Sequence, residues 1–127
     1  MYILGIDPGQ SSGIALYDMD AELLRVCADV PPEEVFDMLE TLPEEGFYCV
    51  ACEKPVRPPF GKPIDMVVFR VAYIVEYICT RRGLTLRWVQ PSQHKTRFKG
   101  VSMKDYPLLD SPHQLDAFTV ALFAAKT

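Results

Sequence analysis

Short apolar runs that end in a polar residue, 2–7 and 12–18, read as two strands with a Gly-containing turn between them. A third such run, 22–29, follows the polar Asp18-Met19-Asp20-Ala21 turn, so the chain opens as a three-stranded antiparallel meander. Pro31-Pro32 starts a helix to about Leu42, with Glu33 and Glu34 in its first turn, where the helix dipole favours anions. FYCVACE (47–53) reads as a fourth strand and KPVRPPFGKP (54–63) as a proline-rich loop. Residues 64–82 form a long helix stopped at Gly83, and LTLRWV (84–89) is a fifth strand. Pro91-Ser92 opens a short helical piece ending near Gly100. SMKDYPLL is ambiguous, because Pro107 disrupts a helix interior. Ser111 caps a last helix from Pro112 to about Ala125. This order predicts an α/β fold in which helices cover a mixed sheet. It excludes an all-helical bundle and an all-β barrel.

A chain of 127 residues fits one domain, 1–127, that buries roughly two-thirds of its surface. No signal peptide is expected, and no apolar run nears ~20 residues. The longest, VVFRVAYIVEYIC (67–79), is broken by Arg70 and Glu76, so a soluble, cytoplasmic protein without a membrane partner is expected. Helix 64–82 is nonetheless apolar around most of its circumference (Val67, Val68, Val71, Ile74, Val75, Ile78, with Tyr73 and Tyr77). One stripe must face the sheet, and a homodimer interface accounts for the surplus. Cys49 and Cys52 form a C-x-x-C, but strand alternation sends them to opposite faces. With Cys27 and Cys79 they read as small buried apolar residues rather than a zinc or redox pair.

Net charge is −4, yet the charges are segregated. Residues 1–53 carry twelve acids and one base, while residues 54–104 carry eleven bases and two acids. Such asymmetry predicts one basic surface and a nucleic-acid partner. The alternative is that folding scatters the blocks.

Asp7 and Glu53 each end an apolar strand, and His113 and Asp116 share a face at the start of the last helix. Taken singly, each has an ordinary explanation: a turn residue, a lysine partner, a helix dipole, a surface imidazole. Together they converge on one corner of the sheet. Gly5 shares a face with Asp7, Cys49 and Ala51 share one with Glu53, and Ala117, Ala121 and Ala124 continue from Asp116, so helix and sheet can approach closely. Three carboxylates and an imidazole call for cations. Hard oxygen donors with one nitrogen suit Mg²⁺ or Mn²⁺. Two such ions about 3.5–4 Å apart activate water against a phosphodiester, with Asp7 as the bridging ligand. The loop adds Lys54, Arg57 and Lys62 with Phe60, suited to backbone contacts and base stacking if Phe60 is exposed rather than folded back on the core.

ILGIDPG followed by GIAL, the strand-end Glu of VACEKP, and HQLDAFTVAL resemble the RuvC-type Holliday junction resolvases of the RNase H-like superfamily, as does PSQHKTRFKGVSMKDY before the last helix. The resemblance spans nearly the whole chain in the family's order. It implies a five-stranded mixed sheet flanked by helices, a homodimer, and two-metal cleavage of DNA at Holliday junctions in a bacterial or phage-infected cell. It also implies Asp7, Glu53, His113 and Asp116 as metal ligands, and Lys95 and Lys104 near the scissile phosphate. Arg97 and Lys99 fall in the same basic segment. Where the family commonly has Gln and a wedge aromatic after the strand-end acid, this chain has Lys54 and Pro55, with Phe60 the nearest aromatic. The chain is also shorter than bacterial members, as a compact phage-type protein would be. Other readings of the residues are an RNA-processing nuclease or a non-catalytic nucleic-acid-binding module on the same fold.

Overall fold

The computed structural model describes all 127 residues. It contains strands β1 (Tyr2–Asp7), β2 (Ser12–Asp18), β3 (Leu23–Val30), β4 (Phe47–Glu53) and β5 (Leu86–Val89). Helices are α1 (Pro32–Thr41), α2 (Met66–Arg82), α3 (Pro91–Arg97) and α4 (Pro112–Lys126), with a 3-10 turn at Met103–Asp105. The strands form one sheet in the order β3-β2-β1-β4-β5. β1, β2 and β3 are antiparallel neighbours, whereas β4 runs parallel to β1 and β5 parallel to β4. The expected meander plus two parallel strands is therefore what the chain forms.

Strand alternation divides the core in two. Ile3, Ala15, Cys49 and Ala51 pack beneath α4, while Leu4, Ile6, Ile14, Val50 and Cys52 pack beneath α1 and α2. Each buried branched side chain contributes about 1.5–3 kcal/mol. Cys49 and Cys52 thus lie in separate cores. Burial pushes the Cys49 thiol up to about 11 and the Cys52 thiol well above the usual range, so both behave as apolar fillers.

Capping explains where element ends differ from the pattern. The Asp65 carboxylate accepts the Val67 and Val68 N–H groups, so α2 begins at Met66, not at residue 64. It ends on Gly83 in the left-handed region (φ 70°), and Leu84 N–H closes back on the Cys79 carbonyl. That closure delays β5 to Leu86. Glu22 is also left-handed (φ 54°) and belongs to the turn, so β3 starts at Leu23. α3 stops at Arg97, short of Gly100. The ambiguous SMKDYPLL segment is a 3-10 turn capped by Ser102, followed by Leu109 inserted into the α4 core. Arg82 donates to the Leu39 and Leu42 carbonyls, closing the C-terminal end of α1 against α2.

The free apolar face of α2 is narrower than its sequence predicts. Val71, Val75 and Ile78 are buried against the sheet and α1, while the half-buried Val67 and Ile74 pack against that core and also edge an open hollow on the outward face. What remains outward is Met66, Tyr73 and Tyr77, each more than half exposed, beside Phe69 and Arg70. No helix is long and apolar enough to cross a membrane.

Candidate active site

Ile6 pairs with Cys52 across the parallel β1–β4 seam, so the next residues, Asp7 and Glu53, leave the sheet together at its carboxyl edge. Strand order reverses here, which is where an open α/β sheet leaves a crevice. α4 reaches this edge because the sheet carries no side chain at two points of contact. A Cβ on Gly5 would lie 2.2 Å from the Ala117 carbonyl oxygen, and one on Gly13 would lie 2.1 Å from that of His113. The buried stripe of Ala117, Ala121 and Ala124 continues the close approach. The start of α4 is anchored separately. Ser111 accepts the Gln114 N–H and donates to Asp29 of β3 at 2.8 Å, and the buried Gln114 amide donates to Asp29 and Asp110. Asp116, about one turn further along, is thereby held over the strand ends.

One oxygen each from Asp7, Glu53 and Asp116 lie within 4.8 Å of one another. Burial, then the facing Glu53 carboxylate, push Asp7 up to about 6, against the pull of the His113 hydrogen bond. Asp116 is also raised, chiefly by burial, with the Lys95 ammonium 3.8 Å away pulling it down. Carboxylates this close oppose one another's ionisation, and an all-oxygen donor set fits a hard divalent cation. The residues present suit Mg²⁺ or Mn²⁺.

His113 stands at the rim. Its exposed ring donates from Nδ1 to Asp7 Oδ2 at 3.1 Å, and it lies outside the three-carboxylate group. Sequence reasoning missed a second imidazole. His94 of α3 is fully buried, with Nε2 3.2 Å from Glu53 Oε2 and Nδ1 2.7 Å from the Thr119 hydroxyl oxygen. The available signal was a polar residue, Thr119, interrupting the apolar run AFTVALF, and a histidine directly before Lys95.

The carboxylates line an open cleft of about 620 Å³, whose walls include Gln10, Ser11, Asp65, Val68, Lys95 and His113. A hollow of about 250 Å³ shares Asp7, Glu53 and Asp65 with it and extends among Lys54, Pro55, Pro58 and Pro63. Lys54, Arg57 and Lys62 are exposed on this loop, and Phe60 is fully exposed at its tip, not folded onto the core. Lys99 and Lys104 are exposed but do not line the cleft. The Arg97 guanidinium lies 5.7 Å from the Phe98 ring and 5.9 Å from the Phe123 ring, so it rests on aromatic faces about two turns along α4 from Asp116. Of the expected basic residues, the structure brings Lys95 against the carboxylates and Lys54 to the adjoining hollow.

No family model and no curated protein matches the sequence. Solved structures match the fold over nearly the full chain. RuvC of Thermus thermophilus in complex with a Holliday junction substrate superposes with a TM-score of 0.76 at 18% identity, covering 99% of this chain and 94% of that one. A second structure of T. thermophilus RuvC gives 0.66 at 19% identity, covering 98% and 93%. The chain has the RuvC, RNase H-like fold.

Proposed function

We propose that this protein is a metal-dependent endonuclease that hydrolyses phosphodiester bonds in branched DNA, four-way Holliday junctions in particular. The observation that carries the reading is the convergence of Asp7, Glu53 and Asp116 within 4.8 Å at the carboxyl edge of a RuvC-like sheet. These carboxylates would hold two Mg²⁺ or Mn²⁺ ions, with His113 at the rim as the fourth donor. Bound there, the ions supply an activated water and neutralise the leaving oxygen.

The chain's own residues supply binding and orientation. Lys95 offers its ammonium to a phosphate oxygen brought against Asp116. Lys54, Arg57 and Lys62 on the loop, with Arg97, Lys99 and Lys104 beyond α3, contact the backbones of the DNA arms. Phe60 offers a stacking face to a base opened at the branch point. The prolines around it keep the loop extended and reduce the ordering cost of binding. Paired cuts on opposed strands need two sites related by a two-fold axis. The outward stripe of Met66, Phe69, Tyr73 and Tyr77 on α2 supports a homodimer that provides them.

Synthetic four-way, flap and linear DNA, and RNA, incubated with Mg²⁺, Mn²⁺ or EDTA, test the reading. Paired nicks in four-way junctions with either ion, and none in EDTA, are expected. Preferential cleavage of RNA, or cleavage that survives EDTA, would refute it.

A further inference from the structure

Each of the three clustered carboxylates has one polar side chain against it. Asp7 has His113 at 3.1 Å, Asp116 has Lys95 at 3.8 Å, and Glu53 has His94 at 3.2 Å. The third contact differs from the others in two ways. His94 is fully buried, and its ring is gripped on the far side by Thr119, itself buried, at 2.7 Å. Glu53 also has the most side-chain freedom of the three, and His94 gives it its one side-chain hydrogen bond.

Proton counting fixes the direction of this chain of bonds. An ionised Glu53 can only accept, so Nε2 of His94 must donate to it. In the neutral ring Nδ1 is then an acceptor and takes the Thr119 hydroxyl proton. The Thr119 oxygen also lies 3.1 Å from the Asp116 carbonyl, but its single proton can serve only one of these partners. The ring form fixed by an ionised Glu53 thus leaves Nδ1 free to accept from the Thr119 hydroxyl, which grips the ring on its far side. Thr119 sits three residues from Asp116 on α4, while His94 precedes Lys95 on α3, so the Glu53–His94–Thr119 path ties the end of β4 to α4 beside Asp116.

We infer that His94 is a positioning residue for Glu53. Held on its far side by Thr119, it keeps the carboxylate toward Asp7 and Asp116 before any cation arrives. The role rests on the proposed metal centre and specifies how its donor set is preorganised. Partners that orient a metal ligand typically account for roughly 10–100-fold in metal affinity.

The test is Mn²⁺ binding by the intact protein without DNA, followed by calorimetry or by the spin-resonance signal of free Mn²⁺. His94→Leu should weaken binding by roughly 10–100-fold. His94→Gln, whose amide N–H extends about as far as Nε2, should recover most of the loss. Thr119→Val should weaken binding in the same direction by less, and carries the test if His94→Leu does not fold. At saturating Mn²⁺, the KM for junction DNA should stay at the wild-type value in all three variants. Wild-type Mn²⁺ affinity in His94→Leu and Thr119→Val, or a His94→Gln no better than His94→Leu, overturns the positioning role while the metal centre stands. Wild-type protein that shows no saturable Mn²⁺ binding removes the centre and this role with it.

Discussion

Replacing Asp7 with Asn should destroy cleavage and at the same time make the metal-free protein more stable. Burial and the neighbouring Glu53 raise Asp7 from 3.8 to about 6, so its ionised form burdens the folded state. At 1.36 kcal/mol per tenfold change, the burden is about 3 kcal/mol at pH 8. The Asp7 side chain is only 14% exposed, so little of this is lost to solvent screening. Asn keeps the volume and can still pair with His113, but carries no charge. A gain of about 1–3 kcal/mol in EDTA is expected, or roughly 5–10 °C in Tm. The sign follows from linkage. A carboxyl raised on folding takes up its proton in the folded state first, so the wild-type penalty lifts as pH falls from about 6 toward 3.8. Urea unfolding of both proteins in EDTA at pH 8 and at pH 4.5 reads the difference, and other titrating groups cancel between them. The gap should be largest at pH 8 and shrink at pH 4.5. Mg²⁺ at pH 8 should stabilise the wild type more than the variant. A variant no more stable than wild type at pH 8, or a gap that ignores pH, would refute the reasoning.

Gly13→Ala should cost about 3 kcal/mol, because the new methyl meets the His113 backbone rather than a side chain that can turn aside; denaturant unfolding in EDTA measures it. Combined Lys95→Ala and Lys104→Ala should reduce the slope of log affinity for junction DNA against log salt by about one to two. An unchanged slope would mean that neither lysine meets a phosphate. Sedimentation at micromolar concentration should show twice the chain mass for the wild type and a monomer for Tyr73→Glu combined with Tyr77→Glu. A wild-type monomer that still makes paired cuts would contradict the α2 interface.

The fold was legible because its signals are local. Short apolar runs, the Asp-Pro-Gly turn, a helix stopped at Gly83 and another opened by Ser111-Pro112 each specify an element without reference to distant residues. The three acids were legible for a related reason. A charge ending a buried strand conflicts with its own neighbourhood, and that conflict shows in the sequence at Asp7 and Glu53. What could not be read depends on docking. His94 looks like a surface residue of a short helix until α3 packs on α4 and Thr119 faces it. The spacing of His113 and Asp116 puts both on one face of α4 but does not say how far each reaches. Only Asp116 joins the cluster, while His113 reaches Asp7 from the rim. Periodicity likewise does not say that α1 takes part of the apolar surface of α2, with Arg82 fastening the end of α1 to it.

Core packing and site chemistry share the same contacts in this fold. The missing side chains at Gly5 and Gly13 let α4 settle onto the sheet, and that close approach sets the separation of Asp116 from Asp7 and Glu53. Any change that lifts α4 therefore widens the carboxylate cluster. The effect on electrostatics is opposite in sign: spreading the acids relieves their repulsion and lowers Asp7 toward its ordinary value. Packing favours the close arrangement and charge opposes it. In the absence of a cation, the buried alanine stripe, the Ser111–Asp29–Gln114 anchor and the Glu53–His94–Thr119 path hold together a cluster whose own charges push it apart. A divalent cation bound among the three carboxylates would reverse the electrostatic term. Preorganisation of the cluster is thus a property of how closely the helix lies on the sheet, and not of the three carboxylate positions taken alone.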